Sequence, residues 1–236
     1  MKSAGRIFKL LLTVFLLVCV IFTYTGYKKY AAAKSKLPVS QIEERLMEKE
    51  NYTLYQDIAP LFIKAAVSVE DRRFFYHKGI DVIGVLRALV QDVRQKSLAE
   101  GGSTITQQLA KNIYFLGDNS PTRKIAEMFA AADIEKHYGK EKILEMYFNV
   151  IYYGSGYYCI YDAAEGYFNK KPSELTDGEA TLLAGIPNAP SAYSFKNNPV
   201  LSYKRREKVL RALLRDGEIT EETAQTIRGE GIDNTK

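Results

Sequence analysis

Between Glu70 and Glu127 the chain concentrates residue types suited to acid–base chemistry on an anionic substrate. Glu70-Asp71-Arg72-Arg73-Phe74-Phe75-Tyr76-His77-Lys78-Gly79 is followed by Gly101-Gly102-Ser103-Thr104-Ile105-Thr106-Gln107-Gln108-Leu109-Ala110-Lys111-Asn112, and then by Arg123-Lys124-Ile125-Ala126-Glu127. A carboxylate partly desolvated among aromatics such as Phe74 and Phe75 has its pKa raised toward values useful for accepting a hydroxyl proton, and Glu70 fits that role. Lys111, Arg123 and Lys124 could hold positive charge near a departing diphosphate, a leaving group that needs no general acid. Hydrolysis of an ordinary glycoside asks instead for two carboxylates, one as acid and one as base or nucleophile, so the set suits transfer from a diphosphate better. Each piece alone also has a plainer reading. Acidic residues beside Arg72 and Arg73 read as a charged turn, Ser103 and Thr104 as helix caps, and His77, with only His137 for company, as a hydrogen-bonded residue rather than a metal ligand.

Helices must deliver these groups. Ile58, Leu61, Phe62, Ala65, Ala66 and Val69 recur at helical spacing and predict a helix with Glu70 at its C-terminal end. Ile80, Ile83, Leu86, Leu89, Val90 and Val93 mark a second helix, broken by the polar stretch from Lys96 to Gly102. Thr104 with Gln107 three residues on resembles a capping box that starts a helix bearing Gln108, Lys111 and Asn112. Ser120-Pro121 reads as a further start, with Ser as N-cap, on a helix that places Arg123 and Glu127 on one face. Further helices are expected at 140–150, where Ile143, Leu144 and Tyr147 are packing residues, and at 160–168, 176–186, 199–215 and 220–228. No segment alternates with period two over a strand's length, so the fold class is mainly α.

The composition, 46% hydrophobic and 26% charged, is that of a chain with a packed core. A net charge of +5 is too mild and dispersed to argue for a nucleic-acid partner, and is equally compatible with an anionic membrane or a phosphorylated lipid. Residues 7–27 are apolar enough to span a bilayer, which takes about 20 such residues, if Lys9 and the tyrosines sit at the interfaces. A cleaved signal sequence ending near Ala31-Ala32-Ala33 is the alternative, but the stretch from Phe22 to Ala33 is long and basic for a cleavage region. The expected organisation is thus a cytoplasmic N-terminus at 1–6, a transmembrane anchor at 7–27, a stalk at 28–50 and a globular domain at 51–236. Flanking lysines and arginines nearly tie, so charge alone leaves the orientation open. Cys19 falls in the span and Cys159 in the domain, which makes a disulfide between them implausible.

Read together and in order, Glu70-Asp71-x-x-Phe74-x-x-His77-x-Gly79, Gly102-Ser103-Thr104-Ile105-Thr106-Gln107-Gln108 with Lys111-Asn112, Arg123-Lys124-x-x-Glu127, and Lys140-x-x-Ile143-Leu144-Glu145-x-Tyr147-x-Asn149 resemble the motifs of the bacterial peptidoglycan glycosyltransferases. Arg205-Arg206-x-x-Val209-Leu210 resembles the fifth motif of that family, and Pro187-Asn188-Ala189-Pro190-Ser191 its lead-in. The resemblance implies a lysozyme-like α fold of two lobes behind one N-terminal transmembrane helix, with an apolar, membrane-facing patch on the domain. It implies polymerisation of lipid II on the outer face of the bacterial cytoplasmic membrane into β-1,4-linked strands, with inversion and release of undecaprenyl diphosphate. A chain ending at Lys236 implies the monofunctional form, without transpeptidase activity.

Carried over by position, Glu70 is the general base, and Glu127 is the second essential carboxylate, in a positioning or electrostatic role. Lys111, Arg123 and Lys124 face donor phosphates, and Ser103, Thr104, Gln107, Gln108 and Asn112 line the cleft near its mobile lid. Asp71, Phe74, His77, Tyr147 and Asn149 complete the substrate-binding set. No metal site or obligatory cofactor is implied, although stimulation by a divalent metal is left open. The partners implied are lipid II, the growing glycan strand, the cytoplasmic membrane and proteins of cell-wall elongation or division, with no nucleic acid. Cys159 and Asn169 stand where relatives usually carry glycine, which puts local backbone geometry in question rather than the charges. A lytic enzyme of the same broad fold and an inactive scaffold for wall assembly are the competing readings. The cationic set argues against the first, and the intact Glu70 and Glu127 against the second.

Overall fold

The computed structural model describes residues 2–87 and 102–231, and among them there are helices and turns but no strand. The helices are α1 (Lys2–Lys36), α2 (Ile42–Met47), α3 (Pro60–Glu70), a short run at 82–87 (α4), α5 (Ile105–Tyr114), α6 (Arg123–His137) and α7 (Lys140–Phe148). They continue with α8 (Ile160–Phe168), α9 (Asp177–Gly185), α10 (Pro190–Tyr193), α11 (Pro199–Asp216) and α12 (Glu221–Gly229). One lobe is built where α3, α9 and α11 pack on one another, and the other where α5 packs against α6 and α7. A continuous core joins them; Phe62 of α3 meets Phe148 of α7 edge to face at 4.9 Å.

Local chemistry sets the helix ends that matter for the site. Pro60 opens α3 at a position where its missing N–H costs nothing, and the buried Phe62, Ile63, Ala65 and Ala66 hold the helix against the core. The helix stops after Glu70, where Asp71 leaves helical geometry at φ −154° and ψ 72°. At α5 the capping box forms as expected: the Thr104 hydroxyl accepts the Gln107 N–H at 3.1 Å, and the Gln107 side chain accepts the Thr104 N–H at 3.2 Å. Thr176 and Glu179 cap α9 in the same way. The sixth helix begins later than Ser120-Pro121 suggests. Thr122 is its N-cap position, because the Ser120 hydroxyl accepts a hydrogen bond from Lys29 and contacts Thr122 instead of capping. Of the expected second helix, 82–87 is helical, while Leu89, Val90 and Val93 lie outside the described residues, as does Gly101.

Within residues 28–50, the segment expected as a stalk, several side chains are buried. Helix α1 runs unbroken to Lys36, and Tyr30, Val39, Ile42 and Leu46 are buried in the core. Tyr30 meets Tyr114 of α5 and Asp133 of α6, and the turn at Val39–Gln41 packs on α6, partners far along the chain that spacing does not reveal. From Gly5 to Lys36 the helix has 32 residues, and its most apolar 18-residue window has a mean hydropathy of 2.5, so it is long and apolar enough to cross a membrane.

Candidate active site

Glu70 ends α3 with its side chain only 8% exposed. Its Oε2 accepts a hydrogen bond from Gln108 Nε2 at 3.0 Å, while the guanidinium of Arg205, on α11, lies 3.5 Å from Oε1. Gln108 is held in turn, since Tyr147 donates its hydroxyl hydrogen to Gln108 Oε1 at 3.1 Å. Burial raises the pKa of Glu70 above the ordinary carboxylate value, against the opposing pull of Gln108 and Arg205, and the adjacent Asp71 adds to the rise. A carboxylate so placed is a stronger base than one in water, and the long contact to Arg205 leaves Oε1 its less engaged oxygen.

Asp71, although next in sequence, does different work. Its carboxylate accepts the Ile105 N–H at 3.0 Å and a hydrogen bond from His77 Nε2 at 2.9 Å. The Gly79 N–H donates to His77 Nδ1, so the ring carries its hydrogen on Nε2 and bonds Asp71 with it. Thr104 closes the loop by donating to Gly79 O at 2.7 Å. Gly79 itself has φ +87°, and a Cβ there would sit 2.9 Å from the Ala131 carbonyl oxygen. Asp71, His77, Thr104 and Gln107 therefore tie the end of α3 to the start of α5, bracing the base and Gln108 in one frame. Phe74 is fully buried, with the Lys140 ammonium 4.2 Å above its ring.

The second carboxylate lies on α6. Glu127 is 1% exposed and pairs with Arg123 one turn earlier and with Lys124 at 3.1 Å. Lys124 also donates to the Ser103 hydroxyl, and burial lowers its pKa, with Arg123 and Lys111 adding their repulsion and Glu127 opposing. Lys111 is exposed and has no ion-pair partner among the described residues. Asn112 bonds back to the Gln108 carbonyl at 2.8 Å. Asn149 is elsewhere: buried, it clasps both backbone groups of Thr53 at 2.8 Å and donates to the Glu145 carbonyl.

A cleft of about 560 Å³ opens over Glu70, bordered by Asp71, Ser103 and Thr104 and by a cationic wall that the sequence reading did not assign. Arg72 and Arg73, just after α3, and Arg205, Lys208, Arg211 and Arg215, on α11, contribute to it. Tyr193 and Asn188 close one part of its rim. A readable signal existed for α11, because residues 205, 208, 211 and 215 recur at three- and four-residue spacing and share a helix face. Asp216 neutralises part of the wall, holding Arg72 at 2.6 Å and Arg215 at 2.8 Å, and Asp81 lies 3.3 Å from Arg73. Of the expected site residues, the fold thus gathers Glu70, Gln108 and Tyr147 in one chain of hydrogen bonds. Arg123, Lys124, Glu127 and Ser103 form a second group.

The two departures from glycine have simple geometries. Asn169 ends α8 with φ +55°, a left-handed cap that asparagine tolerates better than most side chains. Cys159 has an extended backbone and caps the start of α8, its sulfur accepting the Asp162 N–H at 3.4 Å. Burial pushes its thiol up to about 11.

Fold and site together give a helical domain with a buried carboxylate at a cleft lined by arginine and lysine. The profile of the Transglycosylase family matches residues 37–214, and the chain belongs to that family. Its domain is that of a peptidoglycan glycosyltransferase, with the lysozyme-like α fold. The chain is 43% identical over 173 residues to penicillin-binding protein 1A of Neisseria flavescens, an alignment covering 73% of this chain and 22% of that protein. It is 44% identical over 166 residues to penicillin-binding protein 1F of Bacillus subtilis, covering 70% and 23%, and 42% identical over 176 residues to penicillin-binding protein 1A of Aquifex aeolicus, covering 75% and 24%. The chain therefore matches less than a quarter of the length of each of these relatives.

Proposed function

We propose that this protein polymerises lipid II into β-1,4-linked glycan strands at the extracytoplasmic face of the cytoplasmic membrane. The proposal concerns the glycosyl transfer alone. Glu70 Oε1 accepts the proton of the acceptor sugar's 4-hydroxyl as that oxygen attacks the anomeric carbon of the growing strand. The bond to the lipid diphosphate breaks on the opposite face, the diphosphate leaves with the electron pair, and the carbon inverts. Lys111, Arg123 and Lys124 attract the departing charge, while Glu127 keeps the two cations of α6 in place. Lipid substrates reach such a cleft from the bilayer, and the exposed Val82, Ile83 and Leu86 on α4 offer an apolar surface beside it, in addition to α1.

The observation that carries this reading is a buried, basic carboxylate at the head of a cleft walled by arginine and lysine. Cleavage of an uncharged glycosidic bond has no use for that wall; transfer from a diphosphate does. The test is to incubate the detergent-solubilised protein with lipid II and resolve the products by gel or chromatography. Uncrosslinked glycan strands are expected. Absence of product across several detergents and divalent metals, or release of sugars from finished strands, refutes the proposal.

A further inference from the structure

Helix α6 has two working faces. Arg123, Lys124 and Glu127 serve the site, whereas Ile125, Phe129 and Asp133, four residues apart in succession, meet the last turns of α1. Gly26 lies so close that a Cβ there would stand 2.6 Å from the Ile125 side chain, and Tyr27 packs edge to face on Phe129 at 5.5 Å. The Tyr30 hydroxyl donates to Asp133, which also receives Lys34 at 2.6 Å. Lys29 grips the turn between the two site-bearing helices, pairing with Asp118 and donating to the Ser120 hydroxyl at 2.8 Å. That turn leaves α5 just after Lys111 and Asn112 and enters α6 just before Arg123 and Lys124.

We propose that Lys29 and Tyr30, seated through Gly26, are positioning residues: a latch by which the anchor helix fixes the turn at 115–122 and with it the spacing of Lys111, Arg123, Lys124 and Glu127. The anchor is then a working part of the catalytic domain. Asp118 supports this reading, since the Lys29 hydrogen bond, with help from Ser120, holds its carboxyl down at about 2, which keeps the carboxylate ionised to meet Lys29. Gly26 supports it independently, because a close approach of helices needs a residue without a side chain at the crossing.

The activity readout rests on the glycosyltransferase reading, so a second readout is taken that does not. In the full chain, Lys29→Asp, Gly26→Leu and the exchange Lys29→Asp with Asp118→Lys are compared with the unaltered protein for lipid II polymerisation and for amide hydrogen exchange over 115–124. Misplacing reacting groups by about 1 Å can cost on the order of 100-fold in rate. Lys29→Asp and Gly26→Leu should each lower kcat by about tenfold with KM little changed, and raise exchange in the turn. The double exchange should restore both, which loss of general stability cannot explain. Unchanged kcat and exchange in both single variants overturns the proposal, as does a double exchange that restores neither. A wild type inactive on lipid II refutes the enzymatic reading alone, and the exchange data still decide the latch.

Discussion

Replacing Glu70 by glutamine separates the chemistry of the site from its architecture. The amide keeps the shape of the carboxyl group and can still face Gln108 and Arg205, but it cannot accept the hydroxyl proton at neutral pH. Loss of a positioned base costs about 10²–10⁴ in rate, equivalent to roughly 3–5 kcal/mol of barrier at 1.36 kcal/mol per decade. Stability should move the other way or not at all. Because burial raises the carboxyl's pKa in the fold, ionised Glu70 costs the native state stability that a neutral group does not. The sign follows: that cost is complete above the folded pKa and fades as pH falls through it toward the unfolded value. The variant should therefore melt no lower than the parent at pH 7, and any advantage it holds should shrink as the buffer is made more acidic. The assay pairs the rate of lipid II consumption with melting temperatures at pH 7 and pH 5. Near-normal turnover removes Glu70 from the role of base. A melting temperature well below the parent at pH 7 refutes the argument that the fold disfavours the charge.

Three further outcomes are expected. Lys111→Met should cut lipid II turnover severely while shifting stability by no more than ~0.5 kcal/mol, since the lysine is exposed and without an ion-pair partner among the described residues. Equal turnover would detach it from the diphosphate. Asn149→Ala should lower unfolding free energy by ~3 kcal/mol in denaturant titration, by stranding the buried Thr53 backbone groups, yet leave kcat near normal below the melting range. A selective loss of kcat would return Asn149 to the cleft. Asn169→Val should cost ~1–2 kcal/mol through its left-handed backbone, whereas Asn169→Gly should be neutral or slightly stabilising.

What could be read from the sequence was local. The bounds of α8, the capping boxes of α5 and α9, the arrival of Glu70 at the end of α3 and the pairing of Arg123 with Glu127 all depend on residues within four positions of one another. Contacts between distant segments were not legible. Arg205 reaches Glu70 across 135 positions, and nothing in either helix names the other as partner. Asp71 borders the cleft, yet it and His77 also form a brace, because the Ile105 N–H and the Gly79 backbone bond them, and neither partner is near in sequence to both. The burial of Tyr30, Val39, Ile42 and Leu46 was hidden for the same reason: helical spacing tells which face is apolar, not what will cover it.

One consequence of the unbroken α1 concerns phase. Each residue of an α-helix advances the chain by about 1.5 Å and turns it by about 100°. With the end of the rod docked on α6, the domain has no swivel between itself and the apolar part of α1. A residue inserted just before Gly26 would move the domain slightly along the rod and rotate it by about 100° relative to the apolar part of α1, carrying the exposed Val82, Ile83 and Leu86 round with it. About seven inserted residues, two full turns, would bring that face back round at a greater height. The length of this segment should therefore be tolerated periodically, as the thread of a screw is, the cleft keeping its heading relative to the apolar part of α1 only at certain settings.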